Sequence, residues 1–128
     1  MEVLEKIEIE GFVTWMGDDR IVRTVVKPGI DIGISEARKN SEIVNSLIVE
    51  GKSPLIVDNR KIKSITKEAR DHFSIKDRET NVSAIAIIIG SSLSRMIANF
   101  YLGINKPKIP VKLFNSEEKA VKWCKTFN

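Results

Sequence analysis

Hydrophobic and polar positions change period several times along this chain, and each change marks an element. From Lys6 to Trp15 the pattern alternates: Ile7, Ile9, Val13 and Trp15 fall on one side, with Gly11 in the gap between them. A period of two predicts a strand. Met16-Gly17-Asp18-Asp19 reads as a turn, and the β-branched run Ile21 to Lys27 returns as the second arm of a hairpin that Pro28-Gly29 ends. From Ser35 the spacing lengthens to three and four, through Ala37, Ser41, Val44, Leu47 and Ile48. This predicts a helix to about Val49, capped by Ser35, with Glu36 near the positive end of its dipole and Gly51 as its stop.

The second half repeats the alternation of strand and helix. Pro54 to Asp58 is a short buried strand ending in a carboxylate, and Thr66 is placed to cap a helix that buries Ala69 and Phe73. Ala84 to Ile89 is apolar on both sides, as a central parallel strand between helical layers must be. Leu93, Met96, Ile97, Phe100, Tyr101 and Ile104 then form a helical stripe expected to face the core, ended by Gly103 and Asn105-Lys106-Pro107. Pro110 precedes an edge strand, Val111 to Phe114, and Ser116 caps a last helix with Ala120, Cys124 and Phe127 on its buried side. The order β-β-α-β-α-β-α-β-α predicts an α/β fold: an N-terminal hairpin, a mixed, mostly parallel five-stranded sheet and four helices.

Composition narrows the class without naming a function. The 128 residues fit one domain, 1–128, and 42% hydrophobic with 30% charged residues is the balance of a globular chain. The apolar run Val82 to Ile89 is far short of the roughly 20 residues of a transmembrane helix, so no membrane span is expected. One cysteine rules out an internal disulfide, which together with an acidic, alternating N-terminus points to the cytoplasm. Net charge is +4, with Arg60, Lys61, Lys63 and Lys67 the densest basic group, but only 6% of residues are aromatic. Nucleic-acid binding would want stacking aromatics among the cations, so no nucleic acid is expected as a partner.

Catalytic material is thin. His72 is the only histidine, no G-x-S-x-G elbow is present, and Cys124 lies on an apolar helical face. Asp18-Asp19 serves a turn better than a calcium loop. No metal and no cofactor is expected. Gly90-Ser91-Ser92, where a strand hands over to a helix, could hold an anion on free backbone amides with Arg95 one turn along, but both common phosphate-binding glycine patterns are missing. A corner capped by serine explains the same residues. In a parallel sheet the carboxyl ends of the strands gather at one edge, and there Asp58, Asn59, Arg60, the Ser64 to Thr66 cap and Gly90 to Ser92 should meet.

With this element order the chain resembles a STAS-type domain, the fold of anti-sigma-factor antagonists. The runs PLIVDNRKIKSITKEAR and IIIGSSLSRMIANFYLGINKPKIPVKLFNSEEKAVKW resemble a group of small bacterial STAS-like proteins of undefined function. In the antagonists a strand ends in Asp, and an Asp-Ser pair opens the following helix, where a partner kinase phosphorylates the serine. Placing Asp58 on the first Asp puts Ile65 on the family's apolar residue, Thr66 on the second Asp and Lys67 on the phosphoacceptor. Lysine departs from the pattern, which leaves Ser64 or Thr66 as the nearest hydroxyls.

The resemblance implies a non-enzymatic regulatory module that docks a protein partner through Asp58, Asn59, Arg60, Ser64, Thr66 and Lys67. Gly90, Ser91, Ser92 and Arg95 would form a weaker anion or ligand site beside them. Two alternatives stay open: a carrier or sensor of a small apolar or lipid-like ligand, lined by Met96, Phe100 and Tyr101, and an enzyme acting through His72 or the serine cluster. A homodimer through the edge of the first strand is open as well.

Overall fold

The alternating N-terminal stretch folds back on itself. In the computed structural model, which describes residues 5–73, 81–97 and 109–128, β1 (Ile7–Ile9) and β2 (Phe12–Met16) are antiparallel and joined through Glu10-Gly11. Gly11 has φ of 92°, and a Cβ there would stand 2.7 Å from Ile32 Cδ1. The reversal resets the alternation. Ile7 pairs with Thr14 and Ile9 with Phe12, so these four share one face while Val13 and Trp15 take the other. One expected strand is therefore two, and the main sheet has six strands instead of five.

β3 (Val22–Val26) completes the antiparallel part against β2. β5 (Ser53–Asp58), β7 (Val82–Ile88) and β8 (Val111–Phe114) continue the sheet in parallel, giving the order β1-β2-β3-β5-β7-β8. Pro54 sits in an interior strand, which proline normally avoids, because the β5–β7 register shifts between Ser53 and Leu55. The irregularity spares a ladder bond that proline cannot donate. Two further short strands, β4 (Asp31–Ile32) and β6 (Ser64–Ile65), pair parallel in a separate ladder too small to leave a period in the sequence.

The helices are α1 (Ile34–Leu47), α2 (Lys67–Phe73), α3, which is helical from 92 and described to 97, and α4 (Glu117–Cys124) with a 3-10 turn, Lys125–Phe127, behind it. One side of the sheet packs against α1, α2 and α3. There Phe12, Val26 and Ile32 meet Ala37, Ile62 and Ala69, with Ile97 against them, and Val22, Leu55 and Val82 meet Val44 and Ile48. On the other side Ile21, Ile56, Ala86 and Ile88 receive Ala120 and Cys124 of α4. Because both faces of β5 and β7 are covered, their sequences are apolar at nearly every position.

A polar knot fastens α1 to the hairpin inside this core. Thr14 and Thr24 hydroxyls are 2.6 Å apart, Thr14 Oγ1 donates to Asn40 Oδ1 at 2.6 Å, and Asn40 Nδ2 donates to Thr24 Oγ1 at 3.2 Å. All three residues are buried, so each needs the other two.

Helix ends follow the expectations in part. Ser116 caps α4 by accepting from Lys119 N at 3.3 Å, and Thr66 caps α2 by accepting from Ala69 N at 3.1 Å. Ser35 does not cap α1: the helix starts one residue earlier, with Gly33 as an extended N-cap that offers no side-chain bond. The expected core stripe on α3 also needs correction. Leu93 is 39% and Met96 62% exposed, while Ser94 is fully buried and Ile97 packs on the core. The inward face of the first turn thus begins at a small serine, and the larger apolar residues flank it. Phe100, Tyr101, Ile104 and the side chain of Phe73 lie outside the described residues.

Candidate functional site

The parallel strands end at one level. Asp58 pairs with Ile88, and Ile88 with Phe114, so the segments that follow β5, β7 and β8 leave the sheet side by side. Asn59 N donates to Ile88 O at 2.9 Å and Ile89 N to Phe114 O at 2.8 Å, which ties the three exits together. This is the edge on which the sequence placed its candidate residues.

Asp58 organises the first exit. Its Oδ1 accepts from Arg60 N at 3.2 Å and Nε at 2.9 Å, and its Oδ2 accepts from Nη2 at 2.7 Å. Burial pushes the Asp58 carboxyl up, but the two Arg60 donors and the charges of Arg60 and Lys61 bring it below its usual value. Arg60 is raised in turn, first by its bond to Asp58. Locked this way, the Arg60 stem lies over Gly90: a Cβ at Gly90 would stand 2.9 Å from Arg60 Cγ. Gly90 has no need of a left-handed φ; it is needed for room. Asn59, expected on the contact surface, is only 7% exposed and supports the turn from within.

The second exit is a reciprocal cap. Ser94 N donates to Ser91 Oγ at 3.0 Å, and Ser94 Oγ accepts from Gly90 N at 3.1 Å and Ser91 N at 3.0 Å. This is the logic of a capping box with serine as its second partner. Three of the amides that an anion would have used are therefore taken by hydroxyls. Sequence reasoning missed Ser94: its three-residue spacing from Ser91 is that of a capping box, but the usual second partner is Glu or Gln. Outside the cap lies an open hollow bordered by Gly90, Ser91, Ser92, Arg95, Met96 and Asn115. Asn115, from the third exit, had not been expected there.

Ser64, Thr66 and Lys67 stand apart from the main sheet. Ser64 Oγ donates to Asp31 Oδ1 across the β4–β6 ladder, and Lys63 Nζ approaches Asp31 Oδ2 at 3.5 Å. The Ser64 bond, then the Lys63 charge, holds the Asp31 carboxyl below its usual value. Thr66 N donates to Ile32 O at 2.9 Å, and Lys67 Nζ reaches Asp71 Oδ2 at 3.4 Å. Arg60, Lys63 and Lys67 each have a carboxylate neighbour, so the basic cluster is largely balanced within the chain. This group joins the strand exits through apolar packing: Ile62 and Ala69 are in the core cluster that also receives Ile65 and Ile97.

The residues considered for catalysis have structural partners. His72 Nε2 and Ser41 Oγ are 3.0 Å apart, linking α2 to α1. Burial pushes the Cys124 thiol up to about 11. Asp19 binds Arg23 through both carboxylate oxygens, at 2.9 and 2.8 Å. Among the described residues no group of three or more His, Cys, Asp or Glu is placed to hold a metal ion, and no helix is long and apolar enough to cross a membrane.

Comparison with known proteins agrees with this architecture. An uncharacterised protein of the DUF3478 family from Shewanella loihica PV-4, described as having a SpoIIAA-like fold, superposes with a TM-score of 0.59 at 11% identity, over 95% of this chain and 92% of that one. A protein of unknown function from Arthrobacter sp. FB24 is 30% identical over 92% of this chain and 95% of that one, with a TM-score of 0.36. A search of curated proteins returns no match. The first likeness supports a fold of the STAS type, as the element order implied. The profile described as domain of unknown function (DUF7793) matches residues 14–128, and the chain belongs to that family.

Proposed function

We propose that this chain, residues 1–128, is a single-domain, non-enzymatic regulatory module of the cytoplasm that docks a protein partner. The docking surface is the rim from Asp58 to Lys67 together with Gly90 to Arg95. The observation that carries the reading is the seating of the Arg60 stem on Gly90, which joins the exits of two neighbouring strands into one surface. Exposed Lys61, Thr66, Ser92 and Arg95 supply hydrogen-bonding groups on either side of that seat. Open rather than enclosed, the hollow beside Met96 suits a polypeptide segment better than a small apolar ligand that must be surrounded. Balanced ion pairs on the rim favour a polar partner surface over a strongly acidic one.

Affinity capture from native cell extract tests this with three baits: the wild type, the rim variant Arg60→Glu/Lys67→Glu, and the α4 variant Lys122→Glu. A specific protein retained by the wild type and by Lys122→Glu, but lost with the rim variant, is the expected result. Retention that ignores the rim and fails with Lys122→Glu would move the surface to the other face of the sheet. No retained protein with any bait would remove the docking function.

A further inference from the structure

We infer that the exposed edge of β1 pairs with β1 of a second copy of this chain, antiparallel about a two-fold axis at Ile7. The inference is independent of the docking rim, which lies elsewhere on the molecule. β1 is the outer strand of the six-stranded sheet, so among the described residues one side of it has no strand neighbour. Its two-residue connection, Glu10-Gly11, makes Ile9 and Phe12 the closing hydrogen-bonded pair of the hairpin. Alternation then makes Ile7 and Thr14 bond to each other, whereas Glu8 and Val13 do not. The backbone N–H and C=O groups of Lys6 and Glu8 therefore face the open edge.

Side-chain charge selects the register in which a second copy can use those groups. Centred on Glu8 or on Lys6, the pairing sets like charges directly opposite each other, which is unfavourable. Centred on Ile7, it sets Lys6 of each copy opposite Glu8 of the other, and Ile7 opposite Ile7. The same register lets Lys6 and Glu8 exchange both backbone bonds, so the free donors and acceptors of the edge are satisfied in pairs. An axis perpendicular to the sheet keeps α1 of both copies on the same side, so the face carrying Trp15 stays continuous. On that face Lys6 Nζ stands 4.4 Å from the Trp15 ring centre and Glu8 bonds Lys27 Nζ at 2.6 Å, so both charges lie on the Trp15 face of the sheet and lean over β2 in the single chain. So short a seam predicts a reversible dimer rather than a permanent one.

Two measurements test the inference. Sedimentation velocity of the wild type should show concentration-dependent dimerisation. Glu8→Pro, which removes an outward N–H together with the carboxylate set opposite Lys6 of the second copy, should weaken it by about tenfold or more while circular dichroism stays unchanged. Cysteine cross-linking tests the register. Across the proposed axis, Ile7→Cys brings two thiols onto a pair with Cα atoms about 4.5 Å apart, within disulfide reach. Ile9→Cys leaves them roughly 14 Å apart along the strand. The native Cys124 is buried and does not compete. Rapid oxidation of Ile7→Cys to a dimer, with slow oxidation of Ile9→Cys, is expected. A wild type that stays monomeric throughout, equal dimerisation by Glu8→Pro, or equal cross-linking of the two cysteine variants would each overturn the pairing.

Discussion

Gly90 lies beneath the side chain of Arg60, so close that a β-carbon on the glycine would stand 2.9 Å from Arg60 Cγ and 3.2 Å from its Cβ. Arg60 cannot swing aside freely, because Asp58 grips its guanidinium through both oxygens. A methyl group at position 90 therefore has to displace the clamp. Gly90→Ala should cost about 1–2 kcal/mol by overpacking. The double variant Gly90→Ala/Arg60→Ala should recover part of that loss, with a coupling of about 0.5 kcal/mol or more by urea denaturation. Strict additivity would mean that the two segments do not touch in solution.

The reciprocal cap at the start of α3 should be sensitive to the loss of its buried hydroxyl. Ser94→Ala strips hydrogen bonds from Gly90 N and Ser91 N together, at a spot where Ser94 is fully buried. A loss of about 1–2 kcal/mol in urea is expected. Ser92→Ala, one position from the cap on an exposed residue, should change stability by less than about 0.5 kcal/mol.

Asn40 should respond differently to single and multiple replacement. Asn40→Ala leaves two buried threonine hydroxyls with fewer partners and opens a small void, for a cost of about 2–3 kcal/mol. Replacing all three groups, as Thr14→Val/Thr24→Val/Asn40→Leu, removes the polar demand itself. That variant should be more stable than Asn40→Ala, and thermal melting compares the two directly.

Acid sensitivity follows from the two carboxylates held by arginine. Arg23 brings the Asp19 carboxyl down against the effect of burial, and for Asp58 the Arg60 and Lys61 contributions outweigh burial. Both folded values lie below their unfolded ones. Their stabilisation is therefore complete above about pH 4 and is lost as pH falls through the folded values. The stability difference between the wild type and Asp19→Asn should be constant near neutrality and shrink in that acid window.

Much of this architecture was legible because periods of two and between three and four survive wherever an element is long enough to show them. β5, β7, β8 and the caps at Thr66 and Ser116 were read from residues alone, as was the gathering of Asp58 and Gly90 at the strand ends. The failures have local causes. Gly11 sits where an alternating run and a tight turn look alike, and its positive φ and the lack of room for a Cβ beside Ile32 mark the corner only in the folded chain. The two-residue strands Asp31–Ile32 and Ser64–Ile65 are too short for any period. In α3 the helical spacing of apolar residues points Leu93 and Met96 inward, yet Ser94 holds the inward position because its hydroxyl is required by the cap. Position just past the end of β5 puts Asn59 on the expected contact edge, yet its backbone N–H ties β5 to β7 from a buried position.

Hydrogen exchange on the complex with the captured partner tests the central claim, that the exits of β5 and β7 form the docking rim. Binding should slow exchange of the backbone amides of residues 59–67 and of those near Arg95, while α4 amides from Glu117 to Cys124 exchange as in the free chain. Protection confined to α4, with the rim unchanged, would contradict the account.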